Sequence, residues 1–344
     1  MKKSLIALAV AGVVSAPAFA ATSNVDVYGK LHVGLSFYDD SNMSDTQVSS
    51  NASRIGFKGT EDLGGGLAAI WQIESGVNLD EQNGTWASRN SFVGLKGGFG
   101  TALIGNHDTP LKLVGRAVDL FPDTIADSRN VLGVGSDTRG DNVVAYISPT
   151  WTGFSFAAAY STDPVSAASN AGDVADRSLY NLSATYANGP VFVGFGYGDG
   201  DYHEANGLGA QYRLAAGFTF GNFKLVGEYD SLEDDSTTVG TLAGDYDAWM
   251  VGGSFTMGAM VFKANYMQGE YDTVGTNYID PEQWTVGMDY NLSKRTSVYV
   301  LYADGQNITL GAGGGTSDQV AGFPASAIAD DDNSAFSVGV MHSF

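Results

Sequence analysis

The residues best placed to act on other molecules are basic side chains on the polar faces of strand-like segments. Lys30 lies on the face opposite Leu31, Arg54 lies opposite Ile55, and Arg89 falls on the polar face of its own segment. Side chains alternate across a strand, so each segment has one apolar and one polar face. Fixed charges of this kind act on ions and polar solutes through their electric field. Their spacing alone fits either isolated solvated charges or one half of a paired arrangement.

No combination of side chains predicts catalysis. The four histidines, His32, His107, His203 and His342, form no Ser-His-acid or His-Asp pattern, and the chain contains no cysteine. The acidic run at residues 330–332 lacks the spacing of an EF-hand, and the Gly-Gly-Gly segments lack the helix start and lysine of a phosphate loop. We therefore expect no enzyme activity, no catalytic residue, no metal ligand and no cofactor.

The elements that must position these charges are β-strands. Apolar residues recur at every second position, as in Trp284, Val286 and Met288. Clusters of glycine, asparagine and proline form short turns, which alternate with long polar connections such as residues 39–51 and 305–332. The pattern predicts about 16 strands, an even number. The expected spans are residues 25–38, 52–62, 67–77, 89–97, 101–106, 139–148, 153–162, 178–187, 191–202, 208–219, 223–232, 246–257, 259–272, 282–292, 296–304 and 333–344.

This alternation fits two all-β folds that differ in where the apolar face points. A soluble sandwich buries that face, whereas a membrane barrel turns it toward lipid and keeps a polar interior. After residue 20 no apolar run is long enough for a transmembrane helix. The chain length and the asymmetry between short turns and long loops favour the barrel. We therefore predict one domain, residues 21–344, folded as an all-β transmembrane antiparallel β-barrel of about 16 strands.

The N-terminal segment and the net charge narrow the compartment and the partners. Residues 1–20 have the pattern of a secretory signal peptide: Lys2 and Lys3 precede a short apolar core, and residues 18–20 (Ala-Phe-Ala) form a small-x-small cleavage site. The chain has 17 Lys and Arg against 38 Asp and Glu, a formal net charge of −21. This balance argues against a nucleic-acid partner and attracts cations to aqueous surfaces.

The longest interruption between strong strand patterns runs from Gly105 to Gly135 and contains Pro110 and Pro122. A long loop with apolar residues of its own is either functional or packed against something. We expect these residues to anchor the loop to the inner wall of the barrel. The apolar residues are Leu111, Leu113, Val114, Val118, Leu120 and Phe121.

Several segments resemble the general diffusion porins of Gram-negative outer membranes. Residues 25–30 (VDVYGK) resemble the first strand of that family, residues 54–59 (RIGFKG) the second and residues 89–96 (RNSFVGLK) the fourth. Residues 119–123 (DLFPD) resemble the acidic tip of the third loop, and Phe344 on an alternating strand matches the assembly signal. Five matches in the family's order make the resemblance specific.

The resemblance implies a homotrimer of 16-stranded barrels in the cell outer membrane, in contact with lipid and lipopolysaccharide. Each barrel is expected to be a water-filled channel for passive diffusion of ions and small hydrophilic solutes. A long third loop folds into the lumen, where its carboxylates face basic residues of the opposite wall. The residues carried over are, on the basic wall, Lys30, Arg54, Arg89 and Arg139 and, on the acidic loop, Asp119, Asp123 and Asp127.

Charge balance predicts the ion preference of such a channel. The basic wall and the acidic loop nearly cancel, so the negative net charge should give a weak cation preference that declines as salt rises. Two alternatives stay open. A solute-specific, oligosaccharide-type porin would need an aromatic track, but Tyr28, Tyr38 and Phe192 are scattered. A structural barrel with a plugged interior would conduct no ions.

Subunit packing and the loop path carry two further expectations. Small residues of the end strands should allow close packing between subunits. The family resemblance implies that residues 81–88 reach the neighbouring subunit. Residues 124–126 (Thr-Ile-Ala) replace the glycine pair that often follows the acidic tip in the family, so the path of the loop is not predicted. The small residues are Gly29, Gly34, Ala335 and Gly339.

Overall fold

One closed antiparallel sheet contains most of the regular structure in this computed structural model. The structure describes residues 24–40, 44–81, 86–133, 135, 137–162, 178–201, 208–234, 245–272, 280–308 and 332–344. The strands within those residues are β1 Asn24–Asp40, β2 Ser44–Ser50, β3 Arg54–Gly64, β4 Leu67–Gly76, β5 Ser91–Gly97, β6 Gly100–Asp108, β7 Arg139–Ile147, β8 Phe154–Ser161, β9 Leu179–Asn188, β10 Val191–Asp199, β11 Leu208–Phe220, β12 Phe223–Asp234, β13 Tyr246–Met257, β14 Met260–Tyr271, β15 Glu282–Asn291, β16 Thr296–Gln306 and β17 Asp332–Ser343. Two short helices, α1 Pro110–Arg116 and α2 Arg129–Leu132, lie between β6 and β7.

The sheet closes because the first strand pairs with the last. β1 pairs with β17 in antiparallel register, with Leu31 opposite His342. β1 also pairs with β2 through its second half and with β3 through its first half. Since β2 and β3 together form one barrel strand interrupted at residues 51–53, the barrel has 16 strands, as predicted. The expected connection at residues 39–51 is wrong, because residues 44–50 extend the sheet beside β1.

The apolar face of the sheet points outward. In β15, Trp284 and Val286 are exposed, whereas Gln283 and Thr285, which alternate with them, are buried inside the barrel. The same alternation holds in β17, where Phe336, Val338 and Val340 are exposed. A soluble fold would bury these side chains, so the outward apolar face supports the membrane barrel over the sandwich.

The loop between β6 and β7 packs against the inner wall. Val118, Phe121 and Val131 of the loop are fully buried in one cluster with Met250 and Leu301 of the wall. The expected apolar anchoring of this loop is therefore confirmed. Leu113 of α1 is the exception among the residues singled out, because it stays 44% exposed.

The expected packing role of small end-strand residues is wrong. Gly34 and Gly339 face the interior, where they lie beneath the ring of Tyr299. Ala335 belongs to the inner cluster, and Gly29 makes room for Phe344. The missing Cβ of the three glycines therefore makes room for Tyr299 and Phe344 of the same chain.

Among the described residues, no helix is both long and apolar enough to cross a bilayer. Several sequence-based expectations fall wholly or partly outside the described residues: the signal peptide at 1–20, His203, residues 82–85 of the expected subunit contact and residues 330–331 of the acidic run at 330–332.

Candidate pore constriction

Helix α1 starts the inward loop and is held close to the wall. The side chain of Thr109 accepts a hydrogen bond from the backbone N–H of Lys112, and Pro110 occupies the first turn, where its missing N–H is tolerated. A Cβ at Gly194 or Gly196 of β10 would lie about 3 Å from Val114 or Leu111. Glycine at these two positions therefore lets the helix rest directly on the strand.

Arg116, at the end of α1, holds the acidic segment of the loop. Its Nη1 donates hydrogen bonds to Asp119 at 3.0 Å and to Asp127 at 2.7 Å, and its Nη2 donates to Asp123 at 2.8 Å. Arg129 of α2 adds a second guanidinium, with Nε 2.9 Å from Asp127. The three predicted loop aspartates therefore meet in one place, held together by arginines of the same loop.

Asp123 is the tip of this segment and has a left-handed backbone, with φ of 59°. Aspartate tolerates this conformation better than most residues, so the turn forms without the glycine pair of the family. Its backbone N–H donates to Asp127 at 2.7 Å, which fixes the bend.

Two of the predicted wall residues contact this tip. Lys30 Nζ of β1 lies 3.0 Å from Asp123 Oδ2, and Arg54 Nη2 of β3 lies 3.9 Å from the same oxygen. The pairing register places Lys30 and Arg54 directly opposite each other on neighbouring strands. Loop and wall therefore meet at Asp123.

The other two predicted wall residues contact carboxylates of the wall itself. Arg89 Nε donates to Glu74 Oε1 at 2.7 Å. Arg139 Nη2 donates to Asp108 Oδ1 at 3.0 Å. The carboxylate neighbours of these two arginines are residues that sequence reasoning did not single out.

Exposure divides this cluster by charge. The side chains of Asp119 and Asp127 are 0% exposed and that of Asp123 is 10% exposed. The side chains of Lys30, Arg54 and Arg116 are 19%, 25% and 20% exposed. The accessible edge of the cluster is therefore basic, with the carboxylates behind it.

Burial and neighbouring charges set the protonation of the loop aspartates. Burial and the charge of Asp127 outweigh Arg116 and raise the pKa of Asp119 to about 6. Burial also opposes ionisation of Asp123, but Arg116 and Lys30 outweigh it and lower its pKa to about 2. For Asp127, the two arginines overcome burial and hold its pKa well below the usual range.

A second arginine cluster holds the far end of the loop. Arg213 of β11 donates to Asp137, to the Leu132 carbonyl at 2.6 Å and to Asp230 at 2.6 Å. Its Nε lies 3.1 Å from Glu228 Oε1, and all four charged side chains are at most 2% exposed. This cluster joins the loop to β11 and β12.

Sequence reasoning missed the basic residues of the loop and this second cluster. Arg116 and Arg129 lie in a segment without strand parity, which gives no direction for a side chain. Arg213 had a usable signal, because it shares lumen parity with Gln211 and its pairing partner is Asp230.

Comparisons with known proteins agree with this architecture. The family profile described as Gram-negative porin matches residues 7–310. The major outer membrane protein P.IB of Neisseria gonorrhoeae is 30% identical over 341 residues, covering 87% of this chain and 92% of that protein.

Solved structures show the same fold. The anion-selective porin from Comamonas acidovorans has a TM-score of 0.73 at 24% identity, covering 94% of this chain and all of that one. The trimer form of OmpT from Vibrio cholerae has a TM-score of 0.69 at 21% identity, covering 94% of this chain and 99% of that one. This chain therefore belongs to the Gram-negative porins, a family of channels rather than enzymes, and forms an outer-membrane channel for small solutes.

Proposed function

We propose that the narrowest part of the channel lies beside the contact between wall and loop, where Lys30, Arg54 and Arg116 surround Asp123 and form the accessible edge. The contacts of both wall residues with Asp123 support this assignment. In the same proposal, Arg89 and Arg139 extend the basic wall along the path of a solute. The side chains of Asp119 and Asp127 are buried, so in this proposal they influence a solute through their charge and do not contact it.

The local charge at this point should favour anions. The observation that carries this proposal is the burial of Asp119 and Asp127 behind accessible Lys30, Arg54 and Arg116. A carboxylate paired with a guanidinium presents little field to the lumen, whereas the accessible cations attract anions. The neighbour from Comamonas acidovorans is described as anion-selective; the proposal for this chain rests on the exposure of its own side chains.

The negative net charge of −21 acts in the opposite direction and over a longer distance. The Debye length is about 30 Å at 0.01 M salt and about 3 Å at 1 M, so distant charges lose their influence as salt rises. The weak cation preference predicted from the sequence stays a prediction for low salt. At 1 M salt we expect the constriction to dominate and anions to be preferred.

Reversal potentials in KCl gradients test this proposal, with the full chain in planar bilayers. The preference should move from cations toward anions as the mean salt concentration rises from 0.01 M to 1 M. Replacing both Lys30 and Arg54 with glutamine should remove the anion preference at 1 M. Arg295→Gln, in an exposed turn, makes the same kind of charge change away from the lumen and serves as the control. A cation preference that persists at 1 M in the unmodified channel would refute the proposal.

We also propose an oligomeric state for this protein. The solved neighbours include a trimer form, and we infer a homotrimer in outer-membrane lipid and lipopolysaccharide. Mass measurement in mild detergent should give three chains per particle, and monomers alone would contradict this. We further propose that residues 1–20 are a signal peptide, so N-terminal sequencing of the membrane-inserted protein should begin at Ala21.

A further inference from the structure

An apolar recess lies between α1 and the inner face of β7–β9, next to the proposed constriction. Its volume is about 190 Å³. Leu113 and Val114 of α1 line one side, and Ala145, Ala157 and Ile147 of the wall line the other. This part of the lumen therefore differs from the charged wall formed by β1 and β3.

The recess follows from unequal packing on the two sides of α1. On one side, the helix rests on the glycines of β10, Gly194 and Gly196. On the other side, the inward residues of β8 are small, Ser155, Ala157 and Ala159, and do not reach the helix surface. The space is thus set by side-chain size on a rigid wall.

Chemistry inside the recess favours an apolar group over water. The hydroxyl groups of Ser155 and Thr185 lie 2.9 Å apart and hydrogen-bond to each other. The other polar residues of the lining are His107, Asp108 and Ser183. Two ion pairs already hold the Asp108 carboxylate, and His107 Nδ1 lies 2.8 Å from the Asp108 carbonyl oxygen. A bound water needs two to four polar partners, which Ser183 and the alanine, leucine and isoleucine side chains do not supply. Leu113, 44% exposed, extends the apolar surface.

Size selects the kind of group. An apolar cavity of about 150 Å³ holds one benzene molecule. A recess of about 190 Å³ therefore fits a phenyl or similar ring. Because the recess opens to an aqueous lumen, the remainder of the solute has to be hydrophilic.

We propose that this recess binds solutes that carry a ring-sized apolar group on a hydrophilic body, and that such solutes pause there during passage. The inference goes beyond the proposed charge preference, because it concerns uncharged groups. It predicts that flux of ring-bearing solutes saturates, whereas flux of solutes without a ring rises in proportion to concentration.

Two uncharged sugars that differ only in the aglycone test this in planar bilayers at 1 M KCl. Phenyl β-D-glucoside should reduce the single-channel current in a saturable way, and methyl β-D-glucoside should not. Ala157→Leu fills the recess and should raise the half-saturating concentration of the phenyl glucoside by about tenfold or more. Ala184→Leu, on the outward face of the neighbouring strand β9 and outside the lining of the recess, is the matched control and should leave it unchanged.

Equal effects of the two glucosides on the unmodified channel would overturn the proposal, and so would unchanged saturation in Ala157→Leu. If that variant gives no channels, Leu113→Ser, on the loop side of the recess, replaces it: weaker saturation supports the site and unchanged saturation refutes it. Reversal potentials of each variant should match those of the unmodified protein, which separates this inference from the proposed charge preference.

Discussion

The two arginine clusters that hold the loop are similar in charge but lie in different surroundings. Arg116 and Arg213 each meet three carboxylates. The side chain of Arg116 is 20% exposed, whereas that of Arg213 is 1% exposed. All partners of Arg116 come from its own loop, while those of Arg213 come from both loop and wall.

This difference assigns different roles to the same chemistry. Charges that keep contact with water act on passing ions, because their field reaches the lumen. Charges sealed from water hold each other in place, and removing one leaves its partners unpaired in a medium of low polarity. We therefore propose that the Arg116 cluster tunes passage, whereas the Arg213 cluster joins the loop to the wall.

The largest expected effect is on the sealed cluster. Arg213→Met keeps most of the side-chain volume but leaves Asp137, Glu228 and Asp230 without their guanidinium. Breaking a buried ion pair on one side typically costs about 3–5 kcal/mol. Denaturant unfolding in detergent micelles should show a loss of this size in the free energy of unfolding. Arg295→Met in an exposed turn is the control, and a loss below about 1 kcal/mol in Arg213→Met would show that the cluster does not hold the fold.

A smaller effect should come from Asp119, whose pKa is raised to about 6 by burial and by Asp127. Between about pH 4 and 6, the folded state keeps a proton that the unfolded state has lost, so stability should fall as pH rises through this window. The full change is about 2–3 kcal/mol for a shift of about two units. Asp119→Asn should flatten the unfolding profile between pH 4 and 6. A profile that retains its slope in the variant would assign the titration to another group.

The smallest expected effect concerns selectivity at the accessible cluster. Arg116→Gln removes the guanidinium that faces the lumen and leaves Asp119, Asp123 and Asp127 less neutralised. The ratio of cation to anion permeability should then rise roughly threefold, equivalent to about 0.6 kcal/mol. Reversal potentials at 1 M KCl measure it, and a shift toward anions would contradict the assigned role.

The strands could be predicted from the sequence because the face of each strand that contacts lipid has to be apolar, which makes every second residue apolar. Residues 282–292 and 246–257 were expected as strands and are found as β15 and β13 within one residue. β2 was missed because its sequence, SDTQVSS, has one apolar residue and no alternation. Nothing in such a polar segment distinguishes a strand from a loop.

The candidate site was predictable only where strand parity gives a direction. Parity placed Lys30 and Arg54 on the inner face, and the structure brings both to Asp123. The loop has no such periodicity, so the contacts of Arg116 with the three aspartates depend on a backbone path that the sequence does not encode in a visible pattern. For this reason the sequence predicted an acidic loop facing a basic wall, whereas in the structure the accessible edge of the site is basic and Asp119 and Asp127 are buried.

The seam between β1 and β17 has a consequence for the order of assembly. Gly29 and Phe344 exchange both backbone hydrogen bonds, each 3.1 Å long, and Lys30 is the next residue along β1. These contacts join the first and last strands of the sheet. Their sequence separation is the longest among the described backbone pairs, so we expect them to form late in folding. An open sheet on its way into the membrane lacks the seam and so has no enclosed lumen. The proposed selectivity therefore depends on closure of the barrel, which completes the wall that carries Lys30.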